Sequence, residues 1–188
     1  MGPWYHGQWG AKDGTHLGNV QWGSNTSEWY GKNIELPFFN YYLKNTGTLD
    51  QIKEATIFFS GSNEWKQLPT WPAENMKMET FVLSDKGKIV QREKTTNISS
   101  FETYVSDPAK PVPYISDNYM MKSKPKRHYR EYMDDDQKFT SRRTDVLVYT
   151  TPILTSDLVL GGPIVADLMV AMSGTDADFV VKLIDVYP

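Results

Sequence analysis

Cysteine is absent from this chain, which excludes disulfides and thiolate metal sites and leaves the compartment open. No apolar run approaches the roughly 18 residues needed to cross a bilayer. Residues 1–20 hold neither a basic n-region nor an apolar h-region, so no signal peptide is visible. Neither sign of charge dominates: the net charge is −3 with the signs interspersed, and nothing argues for a nucleic-acid or membrane partner. Internal repeats and low-complexity tracts are missing too. So is any Gly-x-Ser-x-Gly pentapeptide; Ser24 and Ser62 each follow a glycine directly, the wrong offset for a nucleophile elbow.

What remains is a chain of 188 residues, enough for one domain or one domain with a small appendage. Aromatics make up 13% of it, including 6 Trp, and such rings favour a packed β structure over exposure. Residues 1–24 carry Gly2, Gly7, Gly10, Gly14, Gly18 and Gly23, which break any helix or strand pattern. Trp4, Trp9, Trp22 and Trp29 would pin such a stretch, so it reads as a long ordered loop. Helical spacing then runs over residues 26–43, capped by Thr26 or Ser27, kinked or divided at Pro37 and stopped by Asn45-Thr46-Gly47.

From residue 50 onward the period becomes that of strands. Residues 55–60 and 79–84 read as strands, with Asp85-Lys86-Gly87-Lys88 as a turn into Ile89-Val90-Gln91 and Phe101 to Val105 as a further strand. Glu64-Trp65-Lys66 reads as loop or short turn. Asp107-Pro108-Ala109-Lys110-Pro111-Val112-Pro113 is a proline-fixed crossover without catalytic duty. Residues 115–144 mix Lys122, Lys124, Lys126, Arg127 and Arg130 with Glu131, Asp134, Asp135 and Asp136, whose charges cancel, as in a solvated loop. Three consecutive aspartates can hold a hard cation, but the alternate spacing and glycine of a loop site are missing. The last 44 residues are Val/Ile/Leu-rich and bounded by turn residues, the strongest strand signal in the chain. The fold class is therefore mainly β.

Three histidines are present. His16 sits in a turn-like Asp13-Gly14-Thr15-His16 setting and His128 inside the charged run; a lone histidine is more often a surface or packing group than a catalyst. His6 differs by its surroundings. Gly2-Pro3-Trp4-Tyr5-His6-Gly7 resembles the catalytic-histidine segment of the cocaine esterase / X-Pro dipeptidyl-peptidase family of serine hydrolases. Further along, Phe38-Phe39-Asn40-Tyr41-Tyr42-Leu43-Lys44, Asn63-Glu64-Trp65 with Trp71-Pro72, and the 107–113 stretch resemble family segments in the same order. Tyr132-Met133-Asp134-Asp135-Asp136-Gln137-Lys138-Phe139 resembles the branch of α-amino-acid ester hydrolases and glutaryl acylases. Arg143-x-Asp145-Val146-Leu147, Gly162-Pro163-Ile164 and Lys182-Leu183-Ile184-Asp185-Val186-Tyr187-Pro188 resemble its C-terminal jelly-roll domain.

The resemblance implies that residues 1–47 are the end of an α/β-hydrolase domain, with the catalytic-histidine loop and last helix. It implies that residues 48–188 are a jelly-roll (galactose-binding-like) β-sandwich, cut short of its last strands. It assigns His6 as the catalytic histidine of a Ser-Asp-His triad that cleaves ester or amide bonds through an acyl-enzyme. The serine and aspartate are expected upstream, so the isolated chain is expected to be inactive. No cofactor and no metal are implied, and the substrate would be a small ester, amide or peptide. An exported, periplasmic or secreted location is an expectation of the same kind. Strands lacking neighbours would leave the piece marginally stable, prone to aggregate, or completed by another chain, a homo-oligomer being one such form. The other reading is a non-catalytic jelly-roll module that scaffolds or binds carbohydrate, with Trp65 and Trp71 stacking on sugars; both tryptophans serve equally as core anchors.

Overall fold

The computed structural model describes residues 1–11, 13–91, 101–116 and 132–187; His128 and the basic run at 122–130 lie outside them. The chain opens with an irregular loop containing a 3₁₀ turn at Gln8–Gly10. A small antiparallel ribbon follows, β1 (His16–Leu17) with β2 (Val20–Gln21), in the register His16↔Gln21 and Leu17↔Val20. Next come α1 (Thr26–Tyr30), a π turn over Gly31–Glu35, and α2 (Leu36–Lys44).

The helical stretch starts at Thr26 as the sequence predicts, but its cap lies one residue earlier than Thr26 or Ser27. Asn25 is the cap, its Oδ1 accepting from the Glu28 N–H at 3.2 Å. Asn at the cap with Glu three residues on is the signal that identifies it. The expected division near Pro37 is present, and the π turn joins the two helices. Pro37 itself lies in the first turn of α2, where its missing N–H costs nothing. At the far end Asn45 takes φ 53° and the Thr46 N–H returns to Asn40 O at 3.1 Å, so Asn45 does the work of a C-terminal glycine.

Two more ribbons make up the rest of the strand pairing among the described residues. β3 (Ala55–Phe59) pairs antiparallel with β4 (Glu64–Leu68), bringing Phe58 opposite Trp65. The 64–66 stretch, expected as loop or turn, is thus strand; its charged residues occupy an exposed edge that tolerates them. β5 (Phe81–Ser84) pairs with β6 (Lys88–Gln91) across a tight turn in which Lys86 and Gly87 both have positive φ. Thr150 adds to β6 by a parallel bridge, with Ile89 N–H donating to Thr150 O at 2.8 Å and Thr150 N–H to Gly87 O at 2.9 Å. A short helix, α3 (Lys138–Ser141), follows the aspartate run.

The mainly β expectation holds at this level, as short strands with few helices. It does not extend to a hydrogen-bonded jelly roll among the described residues. Segments 101–105, 158–160, 163–172 and 179–187, expected as strands, run outside any ladder. Their side chains are in water, Val105, Val165 and Val180 being 82, 74 and 82% exposed. β-branched composition favours a pleated surface only where a neighbouring strand pairs the backbone and a second layer covers the face. Arg143 fixes one part of this region: its guanidinium donates two bonds to Asp145, at 2.6 and 2.8 Å, and a third to Lys110 O at 3.0 Å. Those bonds hold the Asp145 carboxyl below the usual carboxylate range.

The packed centre lies at the other end, where the N-terminal loop and α1 meet β3–β4. Trp22, Ile57 and Phe58 are buried. Trp65 stacks on Trp29 at 4.6 Å and meets Trp4 and Phe58, while Trp22 meets Phe58 edge-on at 5.6 Å. Three of the four loop tryptophans therefore pin the loop as expected. Trp9 does not; it is 40% exposed.

Gly14 has no room for a side chain, because a Cβ there would overlap both the backbone N and the side chain of Ser27. Nothing lies within 4 Å of the corresponding position at Gly10. Gly14→Ala is therefore expected to lower stability by about 2 kcal/mol, and Gly10→Ala by less than about 0.5 kcal/mol. Urea unfolding followed by tryptophan fluorescence checks the difference; equal midpoints for the two variants would contradict this packing.

Candidate functional site

His6 precedes Gly7, whose φ of 87° turns the chain into the Gln8–Gly10 turn. The His6 ring is exposed and meets Trp9 edge-on, with centroids 5.6 Å apart and planes at 86°. Among the described residues it makes no hydrogen bond. Both ring nitrogens are thus without a hydrogen-bond partner among the described residues, on a loop that is itself firmly held.

The holding is done by buried polar groups. Gln8, 2% exposed, donates through Nε2 to His16 O at 2.8 Å and to Asp13 O at 3.4 Å, and its Oε1 accepts from the Tyr5 N–H at 3.3 Å. Its backbone carbonyl accepts from Ser27 Oγ at 2.9 Å. The fully buried Thr26 hydroxyl accepts from the Trp4 indole at 2.8 Å and donates to Gly14 O at 2.7 Å. Asn25 Oδ1 takes the Gly14 N–H at 3.0 Å besides capping α1. The residues on either side of His6 are thus tied to the start of one helix. Sequence reasoning missed Gln8, Thr26 and Ser27 in this role, because isolated polar residues in a glycine-rich stretch have no periodicity to mark them.

His16 has the richer surroundings, with Nδ1 at 3.3 Å from Thr15 Oγ1 and 3.9 Å from Asp13 Oδ2. The grouping does not make a relay. A catalytic imidazole stands between hydroxyl and carboxylate, one on each ring nitrogen. Here both approach Nδ1, and the Thr15 hydroxyl donates directly to Asp13 Oδ1 at 2.6 Å. That bond and the Thr15 N–H hold the Asp13 carboxyl below its ordinary range. The arrangement is a local turn.

The aspartate run is not simply a solvated loop, since Asp134 and Asp135 are half-buried. Asp134 Oδ2 accepts from the Asn19 N–H at 2.6 Å and Nδ2 at 2.9 Å. Asp135 accepts from Ser116 N–H and Oγ at 2.6 and 3.0 Å, and Asp136 from the Lys138 N–H at 2.9 Å. No group of three His, Cys, Asp or Glu among the described residues is placed to hold a metal. Nor is any helix among them long and apolar enough to cross a membrane. A cavity of about 190 Å³ behind the loop is walled by Trp4, Tyr30, Ile34, Thr56 and Trp65. Burial, with Glu35 nearby, raises the Tyr30 phenol above its usual range. With Trp29 stacked on it, Trp65 is an aromatic core anchor.

The family model for the X-Pro dipeptidyl-peptidase C-terminal non-catalytic domain matches residues 37–188. The cocaine esterase of Rhodococcus sp. (strain MB1 Bresler) is 31% identical over 159 residues, covering 80% of this chain and 27% of the esterase. An α-amino acid ester hydrolase of known structure superposes with a TM-score of 0.71 at 30% identity, over 86% of this chain and 27% of that one. An aminopeptidase from the marine sediment archaeon Thaumarchaeota archaeon gives a TM-score of 0.66 at 34% identity, over 80% of this chain and 24% of its own. The chain belongs to the cocaine esterase / X-Pro dipeptidyl-peptidase family and corresponds to its C-terminal domain. It spans about a quarter of the length of these relatives, all of them hydrolases. The matched domain begins at Pro37, so His6 and its anchoring hub precede it.

Replacing Gln8 by Leu keeps the approximate size of this buried side chain and removes the donor for the Asp13 and His16 carbonyls. Stability is expected to fall by about 1–3 kcal/mol, with faster amide exchange at Tyr5 and Ala11. Unchanged exchange at both would mean that Gln8 does not hold the loop.

Proposed function

We propose that this chain is the C-terminal part of a serine hydrolase that cleaves ester or amide bonds through an acyl-enzyme, and that His6 is its general base. In this reading the serine gives its proton to His6 during acylation, and His6 returns a proton to the leaving group. An aspartate from outside these residues orients the other ring nitrogen. The observation that carries the reading is His6 itself: an imidazole with free nitrogens on a loop fixed by Gln8, Thr26 and Ser27. General-base catalysis needs an imidazole available to a nucleophile and a backbone that does not wander. The hydrolase names of the relatives support the reaction class.

Residues 1–47 then complete the hydrolase domain, and residues 48–188 form a jelly-roll β-sandwich that packs beside it. Its apolar segments after residue 150 pair with further strands of the same sandwich and leave water. The substrate is a small ester, amide or peptide with an acyl, aminoacyl or X-Pro dipeptidyl group.

In the full-length hydrolase, His6→Ala is expected to lower kcat for a p-nitrophenyl or aminoacyl ester by about 10³-fold or more, with the unfolding midpoint unchanged. Retention of most of the turnover would sink the assignment.

A further inference from the structure

The Asp134 carboxylate belongs to a part of the chain remote from His6 in sequence, yet it grips the ribbon on which the His6 loop rests. Its Oδ2 takes two donors from one residue, the Asn19 backbone N–H at 2.6 Å and the Asn19 side-chain Nδ2 at 2.9 Å. Asn19 follows Gly18 in the turn between β1 and β2. Gly18 has φ 56°, and a Cβ there would overlap the Asp134 carboxyl carbon and both of its oxygens. The turn is therefore glycine for two reasons: its backbone is left-handed, and the carboxylate lies where a side chain would be. A carboxylate accepting from N–H groups makes a stronger bond than a neutral acceptor does.

The grip has a path to His6. The β1–β2 turn fixes β1, and the carbonyl of His16 in β1 is the better acceptor of the Gln8 side-chain amide, at 2.8 Å. Gln8 in turn accepts the Tyr5 N–H, so its amide brackets His6 from both sides. The anchor end is equally defined. Asp135 holds Ser116 by two bonds and Asp136 starts α3 at Lys138, which keeps the Asp134 backbone in place.

We propose that Asp134 is a positioning residue for His6: its clasp on Asn19 sets the β1–β2 ribbon, and the ribbon sets the loop through Gln8. It touches no substrate and acts only through these bonds. The functional part of the claim rests on His6 being the general base; the structural part does not.

Two arms keep these apart. In this chain, Asp134→Ala is expected to raise amide exchange at Asn19, Tyr5 and Ala11 by about tenfold or more, while the Trp4 indole proton bonded to Thr26 keeps its chemical shift. Asp134→Asn, which retains an acceptor oxygen, should restore most of the protection. Exchange at Tyr5 and Ala11 unchanged in Asp134→Ala overturns the proposal whatever His6 does. If Asp134→Ala does not fold, Asn19→Ala decides by the same readout, with faster exchange at Tyr5 supporting the clasp and unchanged exchange ending it. In the full-length hydrolase, Asp134→Ala should lower kcat about tenfold with KM within about twofold, and Asp134→Asn should recover most of the loss. Looser exchange with kcat unaffected overturns the positioning of His6, whereas an active His6→Ala hydrolase would sink only the catalytic assignment.

Discussion

The Thr26 hydroxyl is the point on which the rest of the molecule depends. It has no contact with water, accepts a proton from the Trp4 indole and gives its own to the Gly14 carbonyl. A buried hydroxyl left unpaired costs about 1–3 kcal/mol, so both bonds must form together or neither is worth burying. Forming them brings residues 4, 14 and 26 to one place and converts a glycine-rich stretch into a fixed object. Gln8 and Ser27 repeat the pattern one layer away. The aromatic cluster then packs on a surface already shaped, with Trp29 and Trp4 closing over Trp65 of the β3–β4 ribbon.

Legibility in the sequence follows from whether a signal is local. The helices, their division near Pro37 and the hairpin across Lys86-Gly87 each depend on residues within a few positions of one another, and each is readable. The strand at 64–68 escaped because only its pairing with Ala55–Phe59 makes it one. The expected strands after residue 150 fail in the opposite sense. Their composition is that of buried strands, while their pairing depends on neighbours that the described residues do not supply. A compact protein of this mass exposes about 9,200 Å²; this chain exposes 15711 Å². The exposed apolar segments after residue 150 contribute to that excess.

His6 is singled out for another reason. Neither spacing nor periodicity marks it, and physical reading alone would treat it as one exposed histidine among three. Its hexapeptide setting singles it out by likeness to a family, to which the match over residues 37–188 independently assigns the chain. What no likeness displays is the support beneath it. The bonds of Gln8, Thr26 and Ser27 join residues 3–22 positions apart, and the side chains involved are common ones in unremarkable positions.

The aspartate run shows how the same chemistry serves a different end when the geometry changes. Three adjacent carboxylates could converge on a cation only if the backbone turned them toward a common centre. Here the backbone sends them to separate donors: the Asn19 amides, the Ser116 amide and hydroxyl, and the first free N–H of α3. Each carboxylate is given N–H or O–H groups in place of a metal, and the like charges are kept apart by distinct partners. A run that reads as a solvated, charge-cancelling loop thus becomes the place where two distant stretches of chain, at Asn19 and Ser116, meet the start of α3. One of those stretches carries the β1–β2 turn, and β1 accepts the Gln8 side-chain amide, so an acidic cluster late in the chain is linked by hydrogen bonds to the loop that carries His6 at its beginning.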